Sequence, residues 1–292
     1  MRVPAAPAGI FIVAAFALAA RDSQAQEPLQ IPPSQLVHEV VYNELHDHER
    51  HGYWRYLAEK STRLGTRVEE QIETADGTVT QLVLSNGQAP ALAAKQAERE
   101  RLNHLLESDA DKARLRQEHF EDEGRIGRIL ALLPDAFFYE YAGEENGCWH
   151  LCFRPNSEYP AKTIESRIFH AMSGELWIGI RTKHLVRLDG QLQSNVDFGF
   201  GILGRLYKGG WFRLERVQVS ETDWKTKRLE IHMSGRAMLF KTIARETCEV
   251  RGNFSPVPAA MNLKDGVDML SSQNLAAAQN TFGASTALVS HR

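Results

Sequence analysis

Chemistry in this chain would have to come from a few clusters of polar residues. His46-Asp-His48-Glu-Arg-His51 is the one run with metal-like density. On a helix, His48 and His51 stand three residues apart and can share a zinc or nickel ion, while His46 points elsewhere. A polar helix end explains the same residues, because imidazoles suit the last carbonyls. Gly199-Phe-Gly201-Ile-Leu-Gly204 has the G-x-G-x-x-G spacing. That fingerprint binds a dinucleotide only between a parallel strand and a helix, with an acidic residue downstream. Here Lys208-Gly-Gly210 follows, a turn before another strand. The glycines therefore read as a bend or a close approach, and no dinucleotide is expected.

Nucleophilic chemistry finds no anchor. There is no G-x-S-x-G, and Ser173 and Ser234 each stand beside a glycine in what reads as a hairpin turn. Carboxylates crowd the charged helices and single out no acid–base pair. Asn253-Phe-Ser255 fits the glycosylation sequon, which is a short and unspecific pattern. The expectation is a protein without enzymatic activity and without a cofactor.

Cys148, Cys152 and Cys248 are the three cysteines. Cys148 and Cys152 share the strand Cys-Trp-His-Leu-Cys, where residues four apart lie about 13 Å from each other. A straight strand cannot join them. Two readings stay open: a bridge from one of them to Cys248 on a neighbouring strand, or three structural thiols. Metal binding by this set is not expected, because the C-x2-C spacing is missing.

The elements that must position these residues begin after a leader. Arg2 precedes the apolar run Ile10 to Ala20, and Ser23-Gln-Ala25 places small residues at the −3 and −1 positions of a signal-peptidase site. Residues 1–25 thus read as a signal peptide cut after Ala25, which implies a periplasmic or secreted protein. The apolar run is short of the roughly 20 residues a bilayer needs, and no later segment reads as a transmembrane span. Roughly 265 residues remain, enough for one large domain. A net charge of −3 with 24% charged residues leaves no basic footprint, so nucleic acid is not an expected partner.

Pro32-Pro33-Ser34 signals a helix start with Ser34 as N-cap, and Leu36, Val37, Val40, Val41 and Leu45 form one apolar stripe. Gly52 ends that helix, and 53–70 alternates as a strand. Asp76-Gly77 and Asn86-Gly87 mark hairpin turns. From 90 to 133 two helices break near Ser108-Asp109, dense in charge and thin in apolar stripe until Ile126, Ile129, Leu130 and Leu133. Pro134 should stop the second. This insertion reads either as a solvated crossing of the sheet edge or as a lid or docking arm. The tail 259–292 loses strand periodicity and reads as disordered.

Between 167 and 250, apolar and polar residues alternate at short spacing. Segments 175–180, 184–188, 196–200, 211–217 and 228–233 each read as a half-buried strand, close enough for hairpins and an antiparallel meander. One face collects Leu176, Ile178 and Ile180; Val196, Phe198, Phe200 and Ile202; Phe212 and Leu214; then Leu229, Ile231 and Met233. Such a face must be covered by helices or must close around a cavity. Either a filled core or a half-barrel holding an acyl chain fits the pattern.

Phe153-Arg-Pro-Asn-Ser-Glu-Tyr-Pro160, Met172-Ser-Gly-Glu-Leu-Trp-Ile-Gly179 and Leu185-Val-Arg-Leu-Asp-Gly190 together resemble the core of the periplasmic lipoprotein-carrier superfamily. That superfamily includes the outer-membrane lipoprotein-sorting carrier. Gly179 stands where an aspartate is usual, and the charged pair 90–133 lies outside the family pattern. Residues 201–210 and 235–241 are similar to uncharacterised exported bacterial proteins. The resemblance covers about 130–258. It implies an α+β fold: a curved antiparallel sheet forming an unclosed half β-barrel, with helices over its mouth. The domain expected is thus 26–258 with a helical insertion at 90–133. Its partner would be a lipid or the acyl chain of a lipoprotein, held by the apolar face. The alternative is an envelope interaction module with a filled core, docking a protein through the arm 90–133.

Overall fold

Period-two alternation builds most of this molecule. The computed structural model describes residues 31–46, 52–198, 204–237 and 241–270. The leader 1–25, His48, His51, Phe200, Ile202 and the segment 271–292 lie outside the described residues. Those described hold twelve strands and five helices, an α+β architecture. The chain opens with α1 (Pro33–His46), β1 (Trp54–Thr62), β2 (Gly65–Thr74) and β3 (Gly77–Ser85). Helices α2 (Leu92–Glu107) and α3 (Asp109–Ala136) follow, then β4 (Phe137–Glu145), β5 (Cys148–Pro155) and α4 (Ile164–Phe169). The remaining elements are β6 (Met172–Gly179), β7 (Leu185–Leu192), β8 (Val196–Phe198), β9 (Gly204–Leu206), β10 (Trp211–Gln218), β11 (Trp224–Ala237), β12 (Lys241–Pro256) and α5 (Leu263–Leu270).

All strand pairs are antiparallel and belong to one sheet. Its order is β3-β2-β1-β12-β11-β10-β7-β6-β5-β4, with β8 on β9 and β9 on β11. The edges β3 and β4 do not pair, so the sheet is not a closed barrel. The expected meander holds from β4 to β7. It then breaks, because β7 pairs with β10, and the long β12 carries β1 and its hairpins onto the far side.

Several local expectations change. The strand expected across 53–70 is two strands, turned at Arg63-Leu64 and followed by Gly65 at φ 131°. The turns at Asp76-Gly77 and Asn86-Gly87 form as read, with φ 120° at Gly77 and 48° and 76° at the second pair. Helix α1 begins at Pro33, whose fixed φ suits a first turn, so Ser34 lies inside the helix. Ser108 does break the helical pair: its side chain caps α3 by accepting from Asp111 N at 3.2 Å. Pro134 does not stop α3, which runs on to Ala136.

Part of the tail expected to be disordered is a helix. Asn262 Oδ1 accepts from Asp265 N at 2.9 Å and starts α5. Leu263, Val267 and Leu270 recur at helical spacing and are buried against Ile72, Val79 and Leu102. A Cβ on Gly266 would stand 2.7 Å from Thr74 Cγ2, so only glycine lets α5 sit this close to β2. Leu102 belongs to α2, and Arg101 of the same helix donates to Thr80 O at 2.7 Å. The charged pair α2–α3 is therefore seated on the β2–β3 end of the sheet.

The cysteine bridge is overturned. All three thiols are free. Cross-strand pairing runs Cys152, Glu175, Asp189, Arg213, Glu230, Cys248, one residue per strand. Five strand spacings separate Cys152 from Cys248, about 24 Å measured along the sheet, against the roughly 7 Å that a disulfide tolerates between Cα atoms.

One buried hydroxyl limits the fold at high pH. Tyr56 sits under Phe254, with the Arg251 guanidinium 5.4 Å from its ring centre. Burial pushes its pKa from 10.0 up to about 12; Arg251 opposes the shift, and Glu73 and Glu249 add to it. The folded state holds this proton more tightly than the unfolded chain does. The resulting stability is full below pH 10 and is lost as pH rises through the folded pKa near 12. The loss is on the order of 2–3 kcal/mol. Denaturant unfolding at stepped alkaline pH should show that decline in the native chain. Tyr56→Phe should make the decline shallower, leaving the part contributed by other buried tyrosines such as Tyr139, and an unchanged decline would contradict the assignment.

Candidate functional site

Antiparallel pairing sends directly opposed residues to the same side of a sheet. The registers therefore define two faces. On one, Leu151, Leu176, Leu188, Leu214 and Leu229 stand opposite one another across five consecutive strands. A second row beside it runs Phe153, Gly174, Gly190, Phe212, Ile231. Gly190 is room for a ring, since a Cβ there would lie 2.4 Å from Phe212 Cε1; one on Gly174 would lie 1.9 Å from Asp189 O of the next strand and 2.8 Å from Phe153 Cζ.

The residues read as one face from sequence assemble here. Leu176, Phe212, Leu214, Leu229 and Ile231 fall in the two rows, and Ile178 pairs with Trp149 on the same side. Met233 follows Ile231 by two residues. Val196 and Phe198 reach the same face through β9: Val196 opposes Leu206 and then Gly235, and Phe198 opposes Gly204 and then Ala237. Ile180 lies just past the end of β6, in the turn, with its N–H donating to Gly147 O at 3.1 Å. Phe200 is outside the described residues.

Helices cover only part of this face. Tyr139, opposite Phe153, donates its hydroxyl to Leu133 O of α3 at 2.7 Å. Its pKa is raised by burial first and by Asp135 second. Phe137 packs 5.1 Å from Phe169 of α4. Near these helices, Leu151 and Ile178 are fully buried. Farther along the same row, Leu188, Leu214 and Leu229 are only half-buried, as are Phe212, Ile231 and Met233. Beyond Leu229 the row turns polar, through Glu249 to Lys60, with Arg251 next to Ala58 and Lys60 bonded to Glu69 at 2.8 Å.

Helix α1 is tied to the floor by a charge. Glu44 accepts from Leu185 N at 3.3 Å and from Arg216 of β10, and Arg216 also donates to Trp224 O at 2.9 Å. Both side chains are nearly out of water, at 8% and 14% exposure. An open cleft of about 700 Å³ lies between α1 and α3, lined by Val41, Leu45, Ala131 and Pro134 with His38, Tyr42 and Lys183. Sequence reasoning placed a cavity on the strand residues, and this cleft includes none of them.

The opposite face is charged. Asp189 binds Arg187 at 3.0 Å and Arg213 at 3.2 Å; Arg213 reaches Glu230 at 3.9 Å, and Arg228 reaches Glu230 at 2.8 Å. Burial alone would raise the Asp189 pKa, but the two guanidiniums hold it below the usual carboxylate range. Across β7, β10 and β11 such a face needs no cover, but toward β1 and β2 the same face turns apolar at Leu57, Val68 and Ile72, which are buried, Ile72 against α5.

The three cysteines lie on the charged side, and each thiol pKa is raised. For Cys148 the causes are burial and Glu145; for Cys152, burial, Glu175 and Glu140; for Cys248, burial and Glu230 against Arg228. A nucleophilic cysteine needs the reverse. Ser173 and Ser234, expected in turns, lie inside β6 and β11. His46 stacks on Tyr42 at 3.9 Å, while His48 and His51 are outside the described residues. Sequence spacing missed one cluster: His150, Cys152 and Glu175 bring their donor atoms within 4.8 Å of one another. The signal was present as period two, because Cys148-x-His150-x-Cys152 on a strand faces one way.

No protein-family model matches the chain, and no curated protein matches it either. Among solved structures, the chain has some similarity to a DUF1329 family protein from Desulfovibrio piger. Identity is 10%, coverage is 78% of this chain and 94% of that one, and the TM-score is 0.26. A likeness at that score carries no argument about fold or activity. None of the described helices is long and apolar enough to cross a membrane.

Proposed function

We propose that this chain is an exported, non-enzymatic protein that binds a lipid or acylated ligand along the apolar face of its sheet. One observation carries the reading. The far part of the leucine row, at Leu188, Leu214 and Leu229, is only half-buried, while Leu151, Leu176 and Ile178 at the other end of the face are sealed. An apolar strip left partly open invites apolar surface from elsewhere. The strip ends at Glu249, Lys60 and Arg251, which suits an amphiphile: a tail along the leucines and a polar end at the charges.

A length argument supports a coiled sheet, the half-barrel of the proposal. Leu115 of α3 sits against Gly77 at the start of β3, and Leu133 of the same helix meets Tyr139 of β4. The helix between them rises about 27 Å. Nine strand spacings laid flat from β3 to β4 would span about 43 Å. The edges are nearer than a flat sheet allows, and curvature brings them so. The ligand would lie in the resulting hollow, with α1, α3 and α4 over one end.

Titration of the full chain with a fluorescent fatty-acid probe tests the reading. Saturable binding at micromolar probe supports it, and the absence of any saturable signal opposes it.

A further inference from the structure

We propose that the charged face carries a site for a borderline-soft divalent cation of the zinc class, formed by His150, Cys152 and Glu175. His150 and Cys152 are two apart on β5, so both project from the same side of the sheet about 6.6 Å apart along the strand. Glu175 is the residue directly opposite Cys152 on β6. The three donor atoms, imidazole nitrogen, thiol sulfur and carboxylate oxygen, lie within 4.8 Å of one another.

The spacing fits a tetrahedral ion. With bonds of about 2.0 Å to nitrogen and oxygen, two ligand atoms on one zinc are about 3.3 Å apart. His150 Nε2 and Glu175 Oε2 are 3.2 Å apart. The Cys152 side chain is exposed, so a small rotation brings its sulfur the remaining distance. Glu140 opposes Cys152 from the other side, on β4, but its carboxylate lies 3.7 Å from Arg154, so the fourth position would fall to water.

The imidazole is held from outside the cluster. It stacks on Trp177 with ring centres 4.5 Å apart and planes 4° apart. Trp177 is itself fixed by the Arg187 guanidinium at 4.5 Å and by donating Nε1–H to Glu145 Oε2 at 3.2 Å. A ligand whose ring plane is set by its neighbours is what a metal site needs and what a surface histidine usually lacks. Mixed sulfur, nitrogen and oxygen donors favour zinc-like ions over magnesium or calcium, which prefer oxygen alone. Cys148, about 13 Å along the strand from Cys152, is too far to share that ion.

The test is titration of the full, reduced, chelator-stripped chain with Co²⁺, followed by displacement with Zn²⁺. The expected result is a thiolate-to-cobalt charge-transfer band that saturates near one equivalent and collapses on adding zinc. Cys152→Ser should abolish the band, and His150→Ala should weaken binding at least about tenfold. Cys148→Ser and Cys248→Ser should keep it. Cys152 is exposed, so its serine variant should fold, which far-ultraviolet circular dichroism verifies. Absence of the band, or a band that survives Cys152→Ser, overturns the site and leaves His150 and Glu175 as a plain hydrogen-bonded pair. The cobalt readout is independent of acyl binding on the other face.

Discussion

Leu214→Asp is expected to weaken fatty-acid probe binding by about 30- to 100-fold while the protein keeps its strand content. Leu214 is the fourth leucine of the row, opposite Leu188 on one side and Leu229 on the other. An alkyl chain covering about 100 Å² there contributes roughly 2–3 kcal/mol, which sets the fold-change. A carboxylate in the floor also opposes an apolar ligand, since the charge would lose its water. The neighbouring residue supplies the control. Glu215 projects from the charged face opposite Arg228, so Glu215→Gln should leave binding within about twofold. Equal losses in the two variants would mean that the ligand does not distinguish the faces, and the apolar strip would not be its site.

The second large effect is on stability. Glu44→Ala should cost about 3–5 kcal/mol, because it strands the Arg216 guanidinium in a nearly dry position. In a domain of this size that corresponds to a fall in melting temperature on the order of 10 °C. The carboxylate also accepts from Leu185 N, so the variant unties α1 from both β7 and β10. Replacing both partners, Glu44→Leu with Arg216→Met, should recover most of the loss, since neither charge is then left unpaired. Denaturant unfolding measures both. A single-variant cost below about 1 kcal/mol would show that water reaches the pair and that α1 is held by its apolar stripe instead.

Alternation made β6, β7, β10 and β11 legible, because one side of each strand is charged and the other is apolar. Leu176, Leu214 and Leu229 could be assigned to one face before any pairing was known. Pairing itself could not. That β12 carries β1, and that β7 skips to β10, are long-range choices with no local mark in the residues. The turn at Arg63-Leu64 was hidden for a local reason: its one glycine, Gly65, follows the turn, and 53–70 alternates almost through it. Helix α5 did announce itself, with Asn262 as cap and Leu263, Val267 and Leu270 at helical spacing. Pro256-Val-Pro258 just before it reads as the end of structure and masked that signal. The His150–Cys152–Glu175 cluster does not follow the C-x2-C spacing of zinc sites, which is a loop pattern. A strand brings ligands together at spacing two, with the third supplied by a neighbouring strand that only the register identifies.

Native mass spectrometry of the full chain as purified from the expressing cell, followed by lipid extraction, tests the central claim most directly. The account predicts a bound acyl species that co-purifies with the chain and is lost in Phe198→Asp and Ile231→Asp. A bare protein mass, together with no saturable uptake of fatty-acid probe, would contradict it.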